Sequence, residues 1–400
     1  MAGLKEVAAR AGVSVRTVSN VVNDFPLVAP ETRRRVQKAL EELRYRPNAA
    51  ARRLRGGRSG LIGLVIPEID SPYFGELASL LVQEAQEHSW TLLVDQTDGD
   101  PDRERRLLEG MPGQMIDGLI MSPWGLSPAD LRRRADAVPL VLLGEQDAAG
   151  LIDHVSVDSV AASAEATRHL IELGRRRIAA IGVQPHLANG TARQRVTGYR
   201  QALRDAGAPH DPALEVPVDA LHRADGARAM RWLLDEGHAP DAIVCFSDQL
   251  ALGAMRVALE RGLTVPGDLA VCGFDDIEDG RYATPSLTTV APDKSEIAKR
   301  AVACLADRLL KPPVPGTTRL GRTAASPAVP ELTGAADPGT GEPAAPDPAD
   351  TPAELAELAD PAADTVMAPA RPPARRIVTA YRLVIRESTA GRSAGSVLSG

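Results

Sequence analysis

The sequence predicts a small all-α headpiece followed by a larger α/β core of two lobes, each a parallel sheet flanked by helices. Three observations predict it. Short helical patterns with capping residues occupy roughly the first 46 positions. From Leu61 onward, apolar strand-like runs alternate with amphipathic helical ones, the pattern of parallel sheets covered on both faces. The second half of that alternation also echoes the first: "GLIGLVIP" from Gly60 reappears as "IAAIGVQP" from Ile178.

Bulk properties agree. The 400 residues suit two or three domains, and 44% hydrophobic content supports a sizeable core, with only 3% aromatic. No run of 18 apolar residues occurs, so no membrane-spanning helix is expected. Lys5, Glu6, Arg10 and Arg16 interrupt the stretch where a secretory leader needs apolar residues, which reads as a cytoplasmic chain. Cys245, Cys272 and Cys304 form no CxxC pair and read as small buried side chains, not a disulfide framework or zinc site. The net charge is −7, but residues 1–60 hold 13 Lys and Arg against 5 Asp and Glu. A basic head on an acidic body is the distribution of a separate phosphate-contacting module.

Taken in order, Leu4–Ala11 reads as a first helix broken by Gly12, and Ser14 can N-cap a second through Val22. Pro30 suits the first position of a third helix, whose Val36, Ala39, Leu40 and Leu43 share one face. Pro47 stops it, Asn48 can cap a short fourth helix over Ala49–Leu54, and Gly56, Gly57 and Gly60 form a flexible exit. Strands are expected at Leu61–Ile66, Thr91–Asp95, Gly118–Met121, Leu140–Leu143, Ile178–Val183, Val216–Val218, Ala242–Phe246 and Leu269–Phe274. Helices such as Gly75–His88, Val160–Leu173, Gln194–Ala206 and Gln249–Arg261 lie between them. Residues 312–375 hold 14 of the 32 prolines with few large apolar groups, a composition expected to be disordered. Ile377–Arg386 returns to strand character and is expected to close a sheet edge.

The domain plan is therefore a headpiece at 1–46, a hinge helix and linker at 47–60, a ligand-binding and dimerisation core at 61–311, the insert at 312–375, a final core strand at 376–389 and a flexible tail at 390–400. Enzyme motifs are lacking. "GRSAG" at 391–395 matches GxSxG in a small-residue tail with no following helix, and there is no Walker A, HExxH or strand-linked GxGxxG. The histidines have no ligand spacing, and His154, His186 and His222 read as loop or surface residues. No cofactor or metal is expected.

Two short helices around a Gly-containing turn, with a polar exposed face, form the helix-turn-helix pattern. The wording "VAARAGVSVRTVSNVVN", "ETRRRVQKALEELRYRPN" and "ARRLRGGRSGLIGLVIP" resembles the headpiece of the LacI/GalR family of bacterial transcriptional regulators. The resemblance continues through "SPYF" (71–74), "IDGLI" (116–120), "VSVDS" (155–159), "RQRVTGYRQAL" (193–203), "FSDQLALGAM" (246–255), "VCGFDDIED" (271–279), "PSLTTV" (285–290) and "YRLVIREST" (381–389).

The resemblance implies a two-lobed periplasmic-binding-protein-like core, a homodimer, and a repressor of a palindromic operator in double-stranded DNA. Val15, Arg16 and Asn20 match the operator-reading positions: Arg16 suits guanine, Asn20 adenine and Val15 a thymine methyl. Ser14, Thr17, Ser19, Asn23, Arg33 and Asn48 suit phosphate or backbone contact. Leu54 matches the hinge position that wedges into the minor groove. Val7, Ala8, Val13, Val18 and Val22 are expected as headpiece core.

In the cleft the resemblance implies an effector site of Asp275 and Arg195, with Ser247, Asp158, Tyr73, Phe74 and Trp124 around it. A carboxylate and a guanidinium can bracket hydroxyls while an aromatic ring packs on a sugar's apolar face. Position 247 is Ser where the resemblance leads one to expect Asn or Thr at least as often. A carbohydrate effector is the first reading, a purine-like co-repressor the second, and a solute-binding protein for transport a distant third. Dimer and tetramer are both left open.

Overall fold

The computed structural model describes residues 3–22, 25, 27–43, 45, 58–109, 111, 116–133, 138–145, 150–185, 187, 190–310 and 373–390. Asn23, Asn48, Leu54, His186, the expected fourth helix, most of the insert and the tail lie outside them.

The headpiece has three helices, α1 (Leu4–Ala11), α2 (Val15–Val22) and α3 (Pro30–Glu42). Their bounds follow from local chemistry. The Gly3 amide donates to Glu6 at 3.0 Å to start α1, and Gly12, at φ 64°, ends it in the left-handed conformation. Ser14 Oγ accepts the Thr17 amide at 3.1 Å and so caps α2, while Pro30 opens α3. Val7, Ala8, Ala11, Val18, Val21, Val36 and Ala39 form the buried centre, with Val13 and Val22 packed against it. Arg10 and Glu42 tie α1 to α3.

The core holds two six-stranded sheets among the described residues. The first contains β1 (Leu61–Ile66), β2 (Thr91–Gln96), β3 (Gly118–Met121), β4 (Leu140–Leu143), β5 (Asp153–Val157) and β11 (Arg376–Thr379), in the order β11-β5-β4-β3-β1-β2, all parallel. The second contains β6 (Ile178–Val183), β7 (Glu215–Pro217), β8 (Ala242–Cys245), β9 (Ala270–Phe274), β10 (Thr288–Pro292) and β12 (Tyr381–Val384), in the order β12-β10-β9-β8-β6-β7. It is parallel apart from β12, which runs antiparallel to β10. The repeated wording is thus a repeated position: β1 and β6 stand at the same place in the two orders.

The chain passes between lobes three times. Helices α4 (Pro72–Glu87), α5 (Pro101–Leu108) and α6 (Pro128–Arg133) belong to the first lobe. After β5, helices α7 (Ser159–Glu172), α8 (Gly190–Asp205), α9 (Arg223–Asp235), α10 (Asp248–Glu260) and the short α11 (Glu278–Tyr282) build the second. After β10 the chain returns as α12 (Lys294–Leu310), whose Ile297, Ala298, Ala301, Val302 and Leu305 enter the first lobe's core. The last passage lies between β11 and β12, before the short α13 (Glu387–Ala390).

That last passage corrects one expectation. Ile377–Arg386 reads as one strand but forms two, in different sheets: Ile377 pairs with Val155 and Tyr381 with Pro292, with Ala380 between them. Continuous alternation gives strand period and carries no information on which sheet receives each half. Strands β5 and β10 are not among the expected strands, and their "DHVSV" and "TTVAP" carry polar residues. All ten of those residues are buried. His154, read as a loop or surface residue, is a buried strand residue whose ring bonds the Gly144 carbonyl. Helix starts at Pro72, Ser159, Gly190 and Asp248 precede the expected ones, and β7 begins one residue earlier. The three cysteines are free and buried, as expected. No helix among the described residues is long and apolar enough to cross a membrane.

Candidate functional site

Two places carry the expected site residues. In the headpiece, the buried face of α2 is Val18 and Val21, leaving Ser14, Val15 and Arg16 exposed and Thr17, Ser19 and Asn20 half-buried. Val15 is 39% exposed while the other helix valines pack inward, so an apolar side chain stands among polar ones on the outer face. Arg33 donates to the Phe25 carbonyl at 2.7 Å, so part of its guanidinium orients the turn before α3.

The second place is the cavity between the lobes, which is partly open to solvent. It lies beyond the C-terminal ends of parallel strands, where such sheets hold ligands. Tyr73, Phe74, Trp124, Arg195, Ser247 and Asp275 all line it.

The first lobe supplies an aromatic wall. The Tyr73 and Phe74 rings meet edge-on at 5.2 Å and Phe74 meets Trp124 at 5.9 Å. Trp124 is held by a residue the sequence reading missed. Glu104, fully buried, accepts the amides of Trp124 (2.8 Å), Gly125 (2.8 Å) and Leu126 (2.9 Å) and the Thr97 hydroxyl (3.2 Å). Burial nevertheless pushes its carboxyl above the ordinary value. Gly125 is required there, since a Cβ would sit 2.4 Å from the Gly99 carbonyl oxygen.

The second lobe supplies charge. Arg195, 7% exposed, lies over the Phe274 ring at 3.5 Å, donates from Nη1 to the Phe246 carbonyl, and holds Nη2 3.7 Å from Asp275 Oδ1. Its buried Nε has no partner among the described residues. Asp275 has φ 109° and Asp276 φ 46°, so consecutive aspartates occupy the left-handed side of backbone space. Burial raises the Asp275 carboxyl to about 7 against the lowering effect of Arg195 and Lys294. Burial also acts on Asp276, but Arg386 at 2.6 Å and Arg281 at 3.0 Å outweigh it and hold that carboxyl below the ordinary value. Beneath this turn the buried Asp248 accepts the Thr289 hydroxyl (2.6 Å) and the Ile277 amide (2.9 Å), and burial drives its carboxyl well above the usual range. Ser247 lines the cavity, but its hydroxyl donates to the Leu221 carbonyl at 2.9 Å and accepts the Leu250 amide at 3.1 Å. Its role there is largely to cap α10.

Asp158 is a correction. It is exposed, accepts the Ala161 amide at 2.9 Å as the cap of α7, and does not line the cavity. The strand just before it does, through Val155, Ser156 and Val157. The sequence reading also missed Glu68 and Glu145. Glu145 bonds Ser159 (2.5 Å) and Thr191 of the second lobe, and Glu68 meets His222 at 3.1 Å across the cleft. Both follow the C-terminal end of a strand, a signal that position alone supplies. Among the described residues, no group of three His, Cys, Asp or Glu side chains is arranged to hold a metal ion.

A family model described as bacterial regulatory proteins, lacI family, matches residues 3–48, and one for a periplasmic binding protein-like domain matches residues 167–327. The HTH-type transcriptional repressor PurR of Haemophilus influenzae (strain PittEE) is 33% identical over 313 residues, 77% of this chain and 91% of its own length. This chain belongs to the lacI family. Among solved structures, a LacI-family transcriptional regulator from Sanguibacter keddieii is 36% identical with a TM-score of 0.63, covering 84% of this chain and 100% of that one. The lac repressor dimer bound to operator and the anti-inducer ONPF is 28% identical with a TM-score of 0.70, covering 77% and 93%. The architecture is therefore that of a lacI-family transcriptional regulator: a helix-turn-helix headpiece and a periplasmic-binding-protein-like core of two sheets.

Proposed function

We propose that this family member is a cytoplasmic, non-enzymatic repressor that binds a palindromic operator as a homodimer and responds to a small polyhydroxylated effector held between its lobes. In this reading residues 1–46 are the DNA-reading headpiece, 47–60 the hinge, 61–311 with 376–389 the effector and dimerisation core, and 312–375 an insert. Arg16, Asn20 and Val15 read bases, while Ser14, Thr17, Ser19, Asn23, Arg33 and Asn48 position the backbone and Leu54 wedges the minor groove.

The observation that carries the effector reading is the buried Arg195 Nε with no partner, beside Asp275 and facing an aromatic wall. A buried donor left unmade costs about 1–3 kcal/mol, which an acceptor on a bound ligand would recover. Three carboxylates (Glu68, Glu145, Asp275) against one guanidinium favour a neutral ligand rich in hydroxyl donors. Because the ligand would touch both lobes, it would bind one lobe arrangement better than another, shift the population toward it and so change operator affinity. The trio Tyr73, Phe74 and Trp124 also supports a second reading, a planar purine-like co-repressor.

The test compares the unaltered chain with Arg195→Ala and Asp275→Ala in a reporter strain carrying its operator, across a sugar panel and hypoxanthine. The expected result is that both variants repress but no longer respond to the compound that acts on the unaltered chain. Full response in either variant would move the effector site elsewhere.

A further inference from the structure

Lys294 opens helix α12, the helix that returns the chain from the second lobe to the first. Helix physics does not ask for it there. A cation at a helix N-terminus opposes the macrodipole, and the cap is already supplied by Asp293, which accepts the Glu296 amide at 2.9 Å. Every contact of its ammonium points instead toward the cleft. Nζ donates to the Asp275 carbonyl at 2.9 Å, to the Asp276 carbonyl at 3.2 Å and to the Glu76 carboxylate, which uses all three protons. It also lies 5.8 Å from the centroid of the Tyr73 ring, within cation–π range. The side chain is 12% exposed.

These contacts join the two walls of the cavity. Asp275 and Asp276 form the left-handed turn of the second lobe, and Lys294 takes the carbonyls of both. Glu76 and Tyr73 belong to α4 of the first lobe. The second oxygen of Glu76 accepts the Glu278 amide at 3.3 Å, so Glu76 reaches across to the second lobe directly as well. A ligand pulling on the Asp275 carboxylate therefore pulls on a peptide unit whose carbonyl is fastened to the other lobe.

We propose that Lys294, with Glu76, is a positioning latch that fixes the Asp275 turn against α4 and transmits effector occupancy to the relative placement of the lobes. The proposal rests on the effector reading given above, but its test does not depend wholly on it. The full-length chain, Lys294→Met and Lys294→Arg are compared by amide hydrogen exchange without any ligand. The latch requires that Lys294→Met speeds exchange in peptides covering 72–78 and 275–280 by about tenfold or more, the loss of one buried contact set, with the remaining core unchanged. Lys294→Arg, which keeps a multiple donor, should restore most of the protection. Uniform acceleration everywhere, or no change at the turn, would overturn the latch and leave Lys294 a general stabilising residue.

The same three proteins are then titrated calorimetrically with D-galactose, cellobiose and hypoxanthine, while small-angle scattering reads the change in radius of gyration. A compound that binds the unaltered chain and compacts it should bind Lys294→Met about tenfold more weakly and without the compaction. Equal compaction in Lys294→Met would overturn transmission through this residue. If none of the three compounds binds the unaltered chain, it is the effector reading that loses support, and the exchange result alone decides the latch.

Discussion

The two lobes repeat one sheet order yet face the cavity with opposite chemistry. In the first, the opening turn of α4 and the loop after β3 carry Tyr73, Phe74 and Trp124, a stacking surface. In the second, α8 and the turn after β9 carry Arg195 and Asp275, groups that orient by charge and hydrogen bond. Their supports differ in the same way. The aromatic wall stands on Glu104, a carboxylate satisfied by three successive amides, whereas the charged wall stands on a left-handed turn tied to Asp248, Arg386 and Lys294. Topology places loops at strand ends. What each does is decided by the residues put there and by what lies behind them.

Both lobes depend on one C-terminal segment, and its removal should have the largest effect. Truncation after residue 375 deletes the edge strand of each sheet and strips Asp276 of Arg386. The expected loss is about 5 kcal/mol or more, the order of a whole domain's margin. Urea unfolding followed through Trp124 in the first lobe and Trp232 in the second should show both signals falling together. If only one tryptophan shifts, the lobes are independent in stability and the symmetry argument fails.

The charged wall should show in the pH dependence of stability. A carboxyl whose folded pKa is raised binds its proton more tightly when folded. Its contribution is therefore fully present below the unfolded value near 3.8 and is lost as pH rises through about 7. Asp275→Asn removes that loss, so it should raise the melting temperature at pH 8 relative to the unaltered chain and change it little at pH 4.5. The gain is on the order of a few kcal/mol at most, because Asp248 shifts in the same direction and remains. Thermal melts at the two pH values decide it, and equal shifts at both would contradict the burial of Asp275.

The aromatic wall predicts a smaller effect. Glu104→Gln keeps one acceptor oxygen but turns an NH2 toward amide donors, costing about 1–3 kcal/mol. In a Trp90→Phe, Trp232→Phe background, the Trp124 emission should become more accessible to acrylamide while headpiece stability is unaltered. Unchanged quenching would mean that Trp124 is held by packing against Phe74 and not by Glu104.

The sequence made the headpiece legible to the residue because capping is local: Gly12, Ser14 and Pro30 act within a turn of where they stand. Six of seven expected cleft residues meet at the cavity, and all but Trp124 of these stand within wording that matched as a block. What escaped depends on distant partners. Asp153 begins a buried strand only because Arg308 and Arg375 reach it, at 2.8 and 3.1 Å, and nothing near it in sequence announces either. Thr288 is buried in β10 because Ser388, Thr389 and Arg386 satisfy it from the far side of residues 312–375. Asp158 was misplaced because it is adjacent in sequence to cavity residues but turns outward to cap α7. Glu104 gave no signal, for its three amide donors lie about twenty residues onward.

One difference between the lobes should matter least. Residues 311–372 separate the first lobe's last helix from its edge strand β11, whereas the second lobe's edge strand β12 follows β11 after Ala380 alone. The described residues on either side fasten the two ends together. Arg308 donates to the Pro373 carbonyl at 3.1 Å, and Arg375 reaches Asp307 at 2.6 Å and the Cys304 carbonyl at 3.0 Å. Both arginines also converge on Asp153, whose carboxyl they hold down at about 2 despite its burial. The clasp therefore helps to set where β11 begins. Replacing residues 313–371 by six Gly/Ser residues should leave folding and secondary structure unchanged. Closing a shorter loop costs less entropy, by about 2 kcal/mol at most for a tenfold reduction in length, so the shortened chain should be equally stable or slightly more so. Urea midpoints of the two chains, read with Trp124 as the probe, provide the measurement. A loss of more than about 1 kcal/mol would mean that the first lobe draws stability from the insert, and its likeness to the second lobe would end at the sheet order.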